Sequence, residues 1–142
     1  LNGTHLNEYK EFTTNPDGST TTNDLAGIHT DETFQRAFPD WRVVTTLGWN
    51  MDRWSGNWSF RWTDEMELAD SENDLDSVMF SDLQMSYNPN IANDSIMLTI
   101  GFNNVFDEDP PVCFPCGVIG LSNVSHDLPG RIGYLRFSYE IQ

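Results

Sequence analysis

Basic residues are scarce in this 142-residue sequence, which has seven Lys and Arg against 22 Asp and Glu and a formal net charge of −15. The seven are scattered along the chain and form no basic patch. A charge of this sign repels the phosphate backbone of nucleic acids and anionic lipid head groups. We therefore exclude nucleic acid as a partner.

Long apolar runs are absent as well. None approaches the ~20 apolar residues that a transmembrane helix needs, so any membrane role would have to be built from strands. The chain begins at Leu1, without an initiator Met and without the apolar core of a secretory signal. This start indicates a processed product or a piece of a longer protein.

Recognisable catalytic motifs are also lacking. The histidines are far apart, and neither a Gly-x-Ser-x-Gly elbow nor a His-Glu-x-x-His helix is present. Asp107, Glu108 and Asp109 are adjacent carboxylates on an expected loop, where they cannot hold a fixed acid–base pair without further support. A secreted β-sandwich hydrolase would need two carboxylates across a cleft, and the sequence places none in that way. We predict that the chain is not an enzyme.

What the sequence does contain is alternation. Five stretches carry apolar side chains at nearly every second position, as in the first, where Trp41, Leu47 and Trp49 share one parity and Arg42 and Asn50 the other. Because successive side chains of a strand point to opposite faces, each stretch predicts a long strand with one apolar face. The stretches are 41–51, 54–66, 77–87, 96–106 and 131–141, and a sixth strand is expected near 3–13.

The connections between these strands alternate in length. Residues 52–53 and 88–95 are short links, whereas 14–40, 67–76 and 107–130 are long and hold much of the acidic charge. If the strands pair up and down, the short links share one edge of the sheet and the long ones the other. Transmembrane β-barrels show this asymmetry between short periplasmic turns and long extracellular loops.

Strand length also favours a membrane over a soluble sandwich. Soluble strands most often run ~5 to 6 residues, whereas a tilted membrane-crossing strand needs ~9 to 11. Trp41 and Trp49 are separated by roughly 26 Å along the strand, close to the spacing of the aromatic girdles around a ~25 Å apolar band. Alternation alone leaves open the other interpretation, that Trp and Phe fill the core of a sandwich.

The end of the chain carries a recognisable combination of motifs. Residues 98–111 read Leu-Thr-Ile-Gly-Phe-Asn-Asn-Val-Phe-Asp-Glu-Asp-Pro-Pro, and Gly130-Arg131 opens a last strand that ends Phe-Ser-Tyr-Glu-Ile-Gln. This closely resembles the C-terminal end of TonB-dependent outer-membrane receptors, in which Asn-Leu-Phe-Asp ends a strand and Gly-Arg opens the final one. The family usually ends on an aromatic residue, whereas Ile141 stands near that place here. The resemblance covers most of the chain.

The resemblance implies that residues 1–142 are the C-terminal part of a receptor β-barrel, without the plug domain. The implied fold is all-β: an antiparallel meander of about six long strands that forms an open part of a transmembrane barrel. The implied location is the bacterial outer membrane, in contact with its lipid, with 107–130 as the last extracellular loop. TonB would act only through the N-terminal part of the receptor.

Receptors of this family take up scarce nutrients, so the resemblance implies a siderophore, a cobalamin or an oligosaccharide as ligand. No cofactor is expected. Strand parity places Arg42, Asn57, Arg61 and Asn103 toward the lumen, which makes them the candidate ligand contacts. The alternative function is that of a soluble all-β sandwich, a lectin-like binding module.

Cys113 and Cys116 have the spacing of a redox-active or metal-binding pair. In an extracellular loop, where the resemblance places them, we expect a structural disulfide, with metal binding and redox catalysis as alternatives. A second pair of this spacing, which a four-cysteine zinc site needs, is absent. The acidic ladder at 70–76 lacks the Gly and Glu of an EF-hand loop, so we predict a solvated loop and no metal site.

Overall fold

The structure is a computed structural model that describes residues 1–30, 36–69, 74–89, 91, 96–113, 120–122, 126, 127 and 129–140. Every helix or strand element within these residues is a β-strand, which confirms the all-β prediction. The described residues include no helix long and apolar enough to cross a membrane. The strands are β1 (Asn2–His5), β2 (Lys10–Thr14), β3 (Thr20–Asp24), β4 (Ile28–Thr30), β5 (Arg36–Ala37), β6 (Trp41–Met51), β7 (Trp54–Thr63), β8 (Met66–Leu68), β9 (Asp74–Leu75), β10 (Val78–Tyr87), β11 (Ile96–Asn103) and β12 (Ile132–Tyr139).

Six of these strands form one antiparallel sheet, the main sheet, in the order β1-β6-β7-β10-β11-β12. Each strand after β1 pairs with the strand of this sheet that comes before it in the sequence, so the sheet is a meander. The predicted antiparallel meander is therefore confirmed in part, because β1 has only four residues and the chain also forms a two-stranded and a four-stranded sheet. β6 has the predicted bounds, and β10 differs from its prediction by one residue at its start.

Other predicted strands were too long. Asn104 has a φ of +52°, a left-handed backbone conformation that ends the ladder directly after β11. Met66 was expected to continue β7 but lies in β8, where it is 1% exposed. The strand expected near 3–13 is divided: β1 ends at His5, and β2 pairs with β3 outside the main sheet.

The register of the main sheet gathers the apolar side chains on one side. Trp58 lies opposite Leu47 on one neighbouring strand and Leu83 on the other, and Leu83 lies opposite Phe102. This apolar face is open, since Leu47 is 55% exposed, and no second layer covers it within the described part of the chain. The apolar face comprises Trp41, Val43, Leu47, Trp49, Met51, Trp54, Trp58, Phe60, Trp62, Met79, Leu83, Met85, Tyr87, Ile96, Leu98, Ile100, Phe102, Leu135, Phe137 and Tyr139.

Most of the buried apolar side chains of the described residues lie in the long connections, although Val78 and Phe80 of β10 are also buried, on the side opposite the apolar face. β4, β5, β8 and β9 form a second sheet, in which β4 and β8 are parallel. Met66, Leu68, Leu75 and Cys113 form a cluster there, and none of the four is more than 5% exposed. Three members of the cluster come from the connection between β7 and β10, and Cys113 comes from the connection between β11 and β12. Ala37, just ahead of β6, packs against them.

Long and short connections lie at opposite ends of the main sheet, as predicted. Because neighbouring strands are antiparallel, 64–77 and 104–131 emerge at one end, which is also where 6–40 enters β6. The links 52–53 and 88–95 emerge at the other end, where Asp52 has a φ of +53° and allows a two-residue turn. The second sheet therefore sits on connections that share one end.

Gly56 lies under an aromatic ring. It is opposite Trp49 in the register, and a Cβ added to Gly56 would overlap the Trp49 indole. Gly48 is in the same hairpin, and an added Cβ there would meet no atom within 4 Å. In this hairpin, the position of the Trp49 ring therefore requires glycine at residue 56, whereas residue 48 has room for a larger side chain.

We expect Gly56→Ala to lower the free energy of unfolding by about 1–3 kcal/mol, because the Trp49 ring must leave its place over residue 56. Gly48→Ala is the matched control, and it should be neutral or stabilising by up to about 1 kcal/mol because alanine restricts the unfolded chain. Urea unfolding followed by tryptophan fluorescence measures both. Equal effects of the two substitutions would show that the ring does not depend on Gly56.

Candidate functional site

Arg61 joins two carboxylates on the polar face of the main sheet, the side opposite the apolar face. Its Nε donates to Oδ2 of Asp82 at 3.1 Å, and its Nη2 donates to Oδ1 at 3.4 Å. Its Nη1 donates to the carboxylate of Asp127, which belongs to the connection between β11 and β12. The guanidinium also lies 5.8 Å from the ring centroid of Phe80. Arg61 therefore ties the sheet to the last long connection.

A cavity of about 340 Å³ opens beside these charges. Its volume falls within the range of roughly 300–1,000 Å³ that is typical of small-molecule sites. One wall comes from the sheet and the other from the last connection and the start of β12. The lining residues are Arg61, Phe80, Asp82 and Asn103 on the sheet, with Asn104, Asp127, Pro129, Gly130 and Ile132 facing them.

The structure brings together two of the four predicted ligand contacts. Arg61 and Asn103 both line the cavity. Arg42 lies opposite Thr63 in the register and does not contribute to the lining. Asn57 is four residues from Arg61 in β7, about 13 Å along the strand, and pairs with Gly48 and Gln84.

Other polar residues of this face escaped the sequence prediction. Tyr134 donates its hydroxyl to Oε1 of Gln84 at 2.9 Å, and an added Cβ at Gly101 would overlap the Tyr134 ring. Parity could have identified Asp82, because its side chain alternates with the apolar ones of β10. No sequence signal links Asp127 to Arg61, which lies 66 positions away in the chain.

The motif that carries the family resemblance forms a clamp at the base of the last connection. Asn104 donates its side-chain amide to the Glu108 carbonyl at 2.8 Å and accepts from the Glu108 backbone N–H at 2.9 Å. Asp107 accepts from the Arg131 backbone N–H at 2.7 Å, and an added Cβ at Gly130 would lie 3.1 Å from that carboxylate. These residues, which we call the loop clamp, hold the two ends of the connection together.

Two histidines are buried where the connections meet. His29 is fully buried in β4, and its Nε2 lies 2.7 Å from Oγ of Ser122. His126 is 8% exposed. Burial, followed by the nearby charges of His29 and Arg42, lowers the pKa of His126 to about 4, although Asp127 opposes the shift. His126 is therefore neutral at pH 7.

Cys113 is fully buried and disulfide-bonded. Cys116 lies outside the described residues, as do residues 70–73 of the acidic ladder. Among the residues that the structure does describe, no three or more His, Cys, Asp or Glu side chains are grouped so that they could hold a metal ion.

No family model, no curated protein and no solved structure matches the chain. The chemistry of the site therefore has to be inferred from its own geometry.

Asp107→Asn is expected to lower the free energy of unfolding by about 1 kcal/mol, because it weakens a charged hydrogen bond that is partly exposed to water. Exchange of the Arg131 amide hydrogen should accelerate, since that amide is the donor. Asp109→Asn is the control with the same change of charge in the same connection. If both variants behave alike, the clamp does not hold the connection.

The low pKa of His126 predicts a pH dependence of stability. A histidine with its ordinary pKa of 6.5 in the unfolded chain takes up a proton there before it does so in the folded chain, where its pKa is about 4. The contribution of His126 is therefore complete above about pH 6.5 and is lost as the pH falls toward 4. Thermal unfolding between these pH values should show a decline that His126→Gln reduces, and an unchanged slope in this variant would contradict the assignment.

Proposed function

We propose that this chain is part of the outer-membrane barrel of a TonB-dependent receptor that takes up a scarce nutrient. The six-stranded meander supplies barrel wall, with the apolar face toward lipid and the polar face toward a water-filled lumen. The long connections form its extracellular side. The nutrient is a siderophore complex, a cobalamin or an oligosaccharide, and TonB acts through the plug domain that the family carries ahead of the barrel.

The observation that carries this proposal is that apolar side chains are exposed in the long strands of the main sheet and buried in the connections. Leu135 and Phe137 are 77% and 63% exposed in a long, regular strand, whereas Leu75 and Met66 are 0% and 1% exposed in short strands of the connections. Exposed apolar patches larger than a few hundred Å² are rare on soluble monomers and mark contact with a membrane or a partner. A face of about twenty apolar residues in alternating register fits hydrocarbon.

The aromatic residues of the apolar face support the same orientation. Trp41 and Trp62 lie at the end where the long connections emerge, and Trp54 and Tyr87 lie opposite each other near the short links. The ring centroids of Trp54 and Tyr87 are 4.5 Å apart. Trp54 and Trp62 are eight residues apart, about 26 Å along the strand, which suits two interfacial aromatic belts.

The alternative, a lectin-like soluble sandwich, requires a second layer on the apolar face. In such a fold the same rings would pack against another sheet and lose their exposure to solvent. The open apolar face favours the membrane proposal over this alternative. A test must therefore ask whether this face meets lipid.

Leu47 and Thr46 offer a matched pair for this test, because both are exposed, adjacent and at the middle of β6, and they lie on opposite faces. With the chain inside its complete barrel in lipid vesicles, Leu47→Arg should lower the free energy of unfolding by about 2–4 kcal/mol, the cost of a lipid-facing Arg near the bilayer midplane. Thr46→Arg should cost less than about 1 kcal/mol, because a lumen-facing side chain remains in water. Urea titration of the vesicle-inserted complete barrel that contains this chain, followed by tryptophan fluorescence, provides the measurement.

The membrane proposal and the soluble alternative predict different outcomes for these two variants. On a soluble monomer with an exposed face, Leu47→Arg would be close to neutral. Cooperative folding in buffer without lipid, together with equal effects of the two substitutions, would overturn the membrane proposal.

A further inference from the structure

The two carboxylates that contact Arg61 are held with unequal strength. Asp82 lies on the adjacent strand, meets two nitrogens of the guanidinium, and also accepts the Asn104 backbone N–H at 3.0 Å. Its side chain is 28% exposed. Asp127 comes from a connection, meets only Nη1, and is 54% exposed. Asp82 therefore orients Arg61, whereas Asp127 occupies a position that another group can take.

The contact with Asp127 is weak enough to exchange. An ion pair between exposed side chains shifts an equilibrium by about fivefold or less. Arg61 and Asp127 both line the cavity, so a molecule inside it can reach this contact. Asn103 lines the same cavity and is exposed, and its side chain forms no hydrogen bond with any other described residue. Arg61 Nη1 and the Asn103 amide together offer two donors to a ligand carboxylate.

The charge around the cavity limits which carboxylate can enter. The described residues among 1–40, 64–77 and 104–130 contain 14 acidic and two basic residues, a net charge of −12 at this end of the sheet. A simple anion is repelled by such a surface. A zwitterion, which also carries an ammonium group, has no net charge and is not repelled. Its ammonium group can pair with Asp127 once that carboxylate leaves Arg61.

We propose that Arg61 and Asp127 form a latch that a zwitterionic ligand opens. The ligand carboxylate replaces Asp127 on Nη1 of Arg61, the ligand ammonium binds the released Asp127, and no covalent bond changes. The cavity of about 340 Å³ suits a ligand of amino-acid or dipeptide size. This ligand is not one of the nutrients named above, so the inference goes beyond the proposed function, and it rests on that function in one respect, since the polar face must be open to water.

The test compares three small probes on the vesicle-inserted complete barrel that contains this chain: glycylglycine as the zwitterion, propionate as the anion and propylammonium as the cation. Binding is followed by the carboxyl ¹³C signal of Asp127 and the guanidinium ¹⁵N signals of Arg61. Glycylglycine should bind about fivefold or more tightly than propionate and shift both sets of signals. Propylammonium should leave the Arg61 signals in place, because it does not compete for Nη1.

Variants separate the latch from a general effect of charge. Asp127→Asn removes the partner of the ammonium. Glycylglycine and propionate should then bind with about the same affinity, as read from the Arg61 signals. Asp109→Asn makes the same change of charge in the same connection and should keep the preference. Retained tryptophan fluorescence confirms that each variant is folded.

Equal binding of propionate and glycylglycine by the unaltered chain would overturn the latch, as would the absence of binding by all three probes. A preference unchanged in Asp127→Asn would also overturn it. The proposed function fails on a different result, the loss of the difference between Leu47→Arg and Thr46→Arg. The two failures are therefore distinguishable.

Discussion

The pairing register of the central strands decides which side chains share a face of the main sheet. β7 pairs with both β6 and β10 over ten consecutive residues, without a bulge, so one alternation of side chains runs through all three strands. A slip of one residue between β6 and β7 would move the Arg61 guanidinium to the side of Leu47 and Trp49. The cavity, its charges and the open apolar face all exist because that register holds.

Burial follows different rules in the two parts of the chain. In the connections, Leu75 and Cys113 are removed from solvent completely and pack as in an ordinary protein core. In the main sheet, most of the large apolar side chains lie on the open apolar face, and Phe80, which is 4% exposed, is buried on the polar face. The polar face also holds hydrogen bonds, such as the 2.9 Å contact between the hydroxyls of Ser86 and Thr99. A soluble domain places these two environments the other way round. This division explains why a strongly acidic chain can carry so many exposed aromatic side chains: the acid is concentrated at one end, away from the apolar face.

Alternation was sufficient to predict the long strands and their faces, because parity is a local property that a sequence displays directly. It failed where contacts between residues far apart in the sequence decide where a strand ends or which side chains meet. Met66 continues the pattern of β7 but is drawn into the core with Leu75, and the left-handed backbone of Asn104 ends β11 although Phe106 keeps the alternation. Parity found Arg61 and Asn103 but had no means of finding Asp127, because that contact depends on how the last connection returns to the sheet. The short strands of the connections are set by this tertiary packing, and their length of two to five residues is too small for a periodic signal.

The edges of the main sheet place a condition on the proposed membrane location. β1 pairs only with β6, and β12 pairs only with β11, within the part of the chain that the structure describes. In water, the unpaired N–H and C=O groups along the outer side of β12 bind solvent, but in hydrocarbon each would cost several kcal/mol. Six strands are fewer than the eight of the smallest transmembrane barrels, so hydrogen bonding within the six cannot satisfy both edges. A membrane location for the apolar face therefore requires further strands beside β1 and β12. Since β12 offers eight residues and β1 only four, the β12 edge presents the longer template for such pairing.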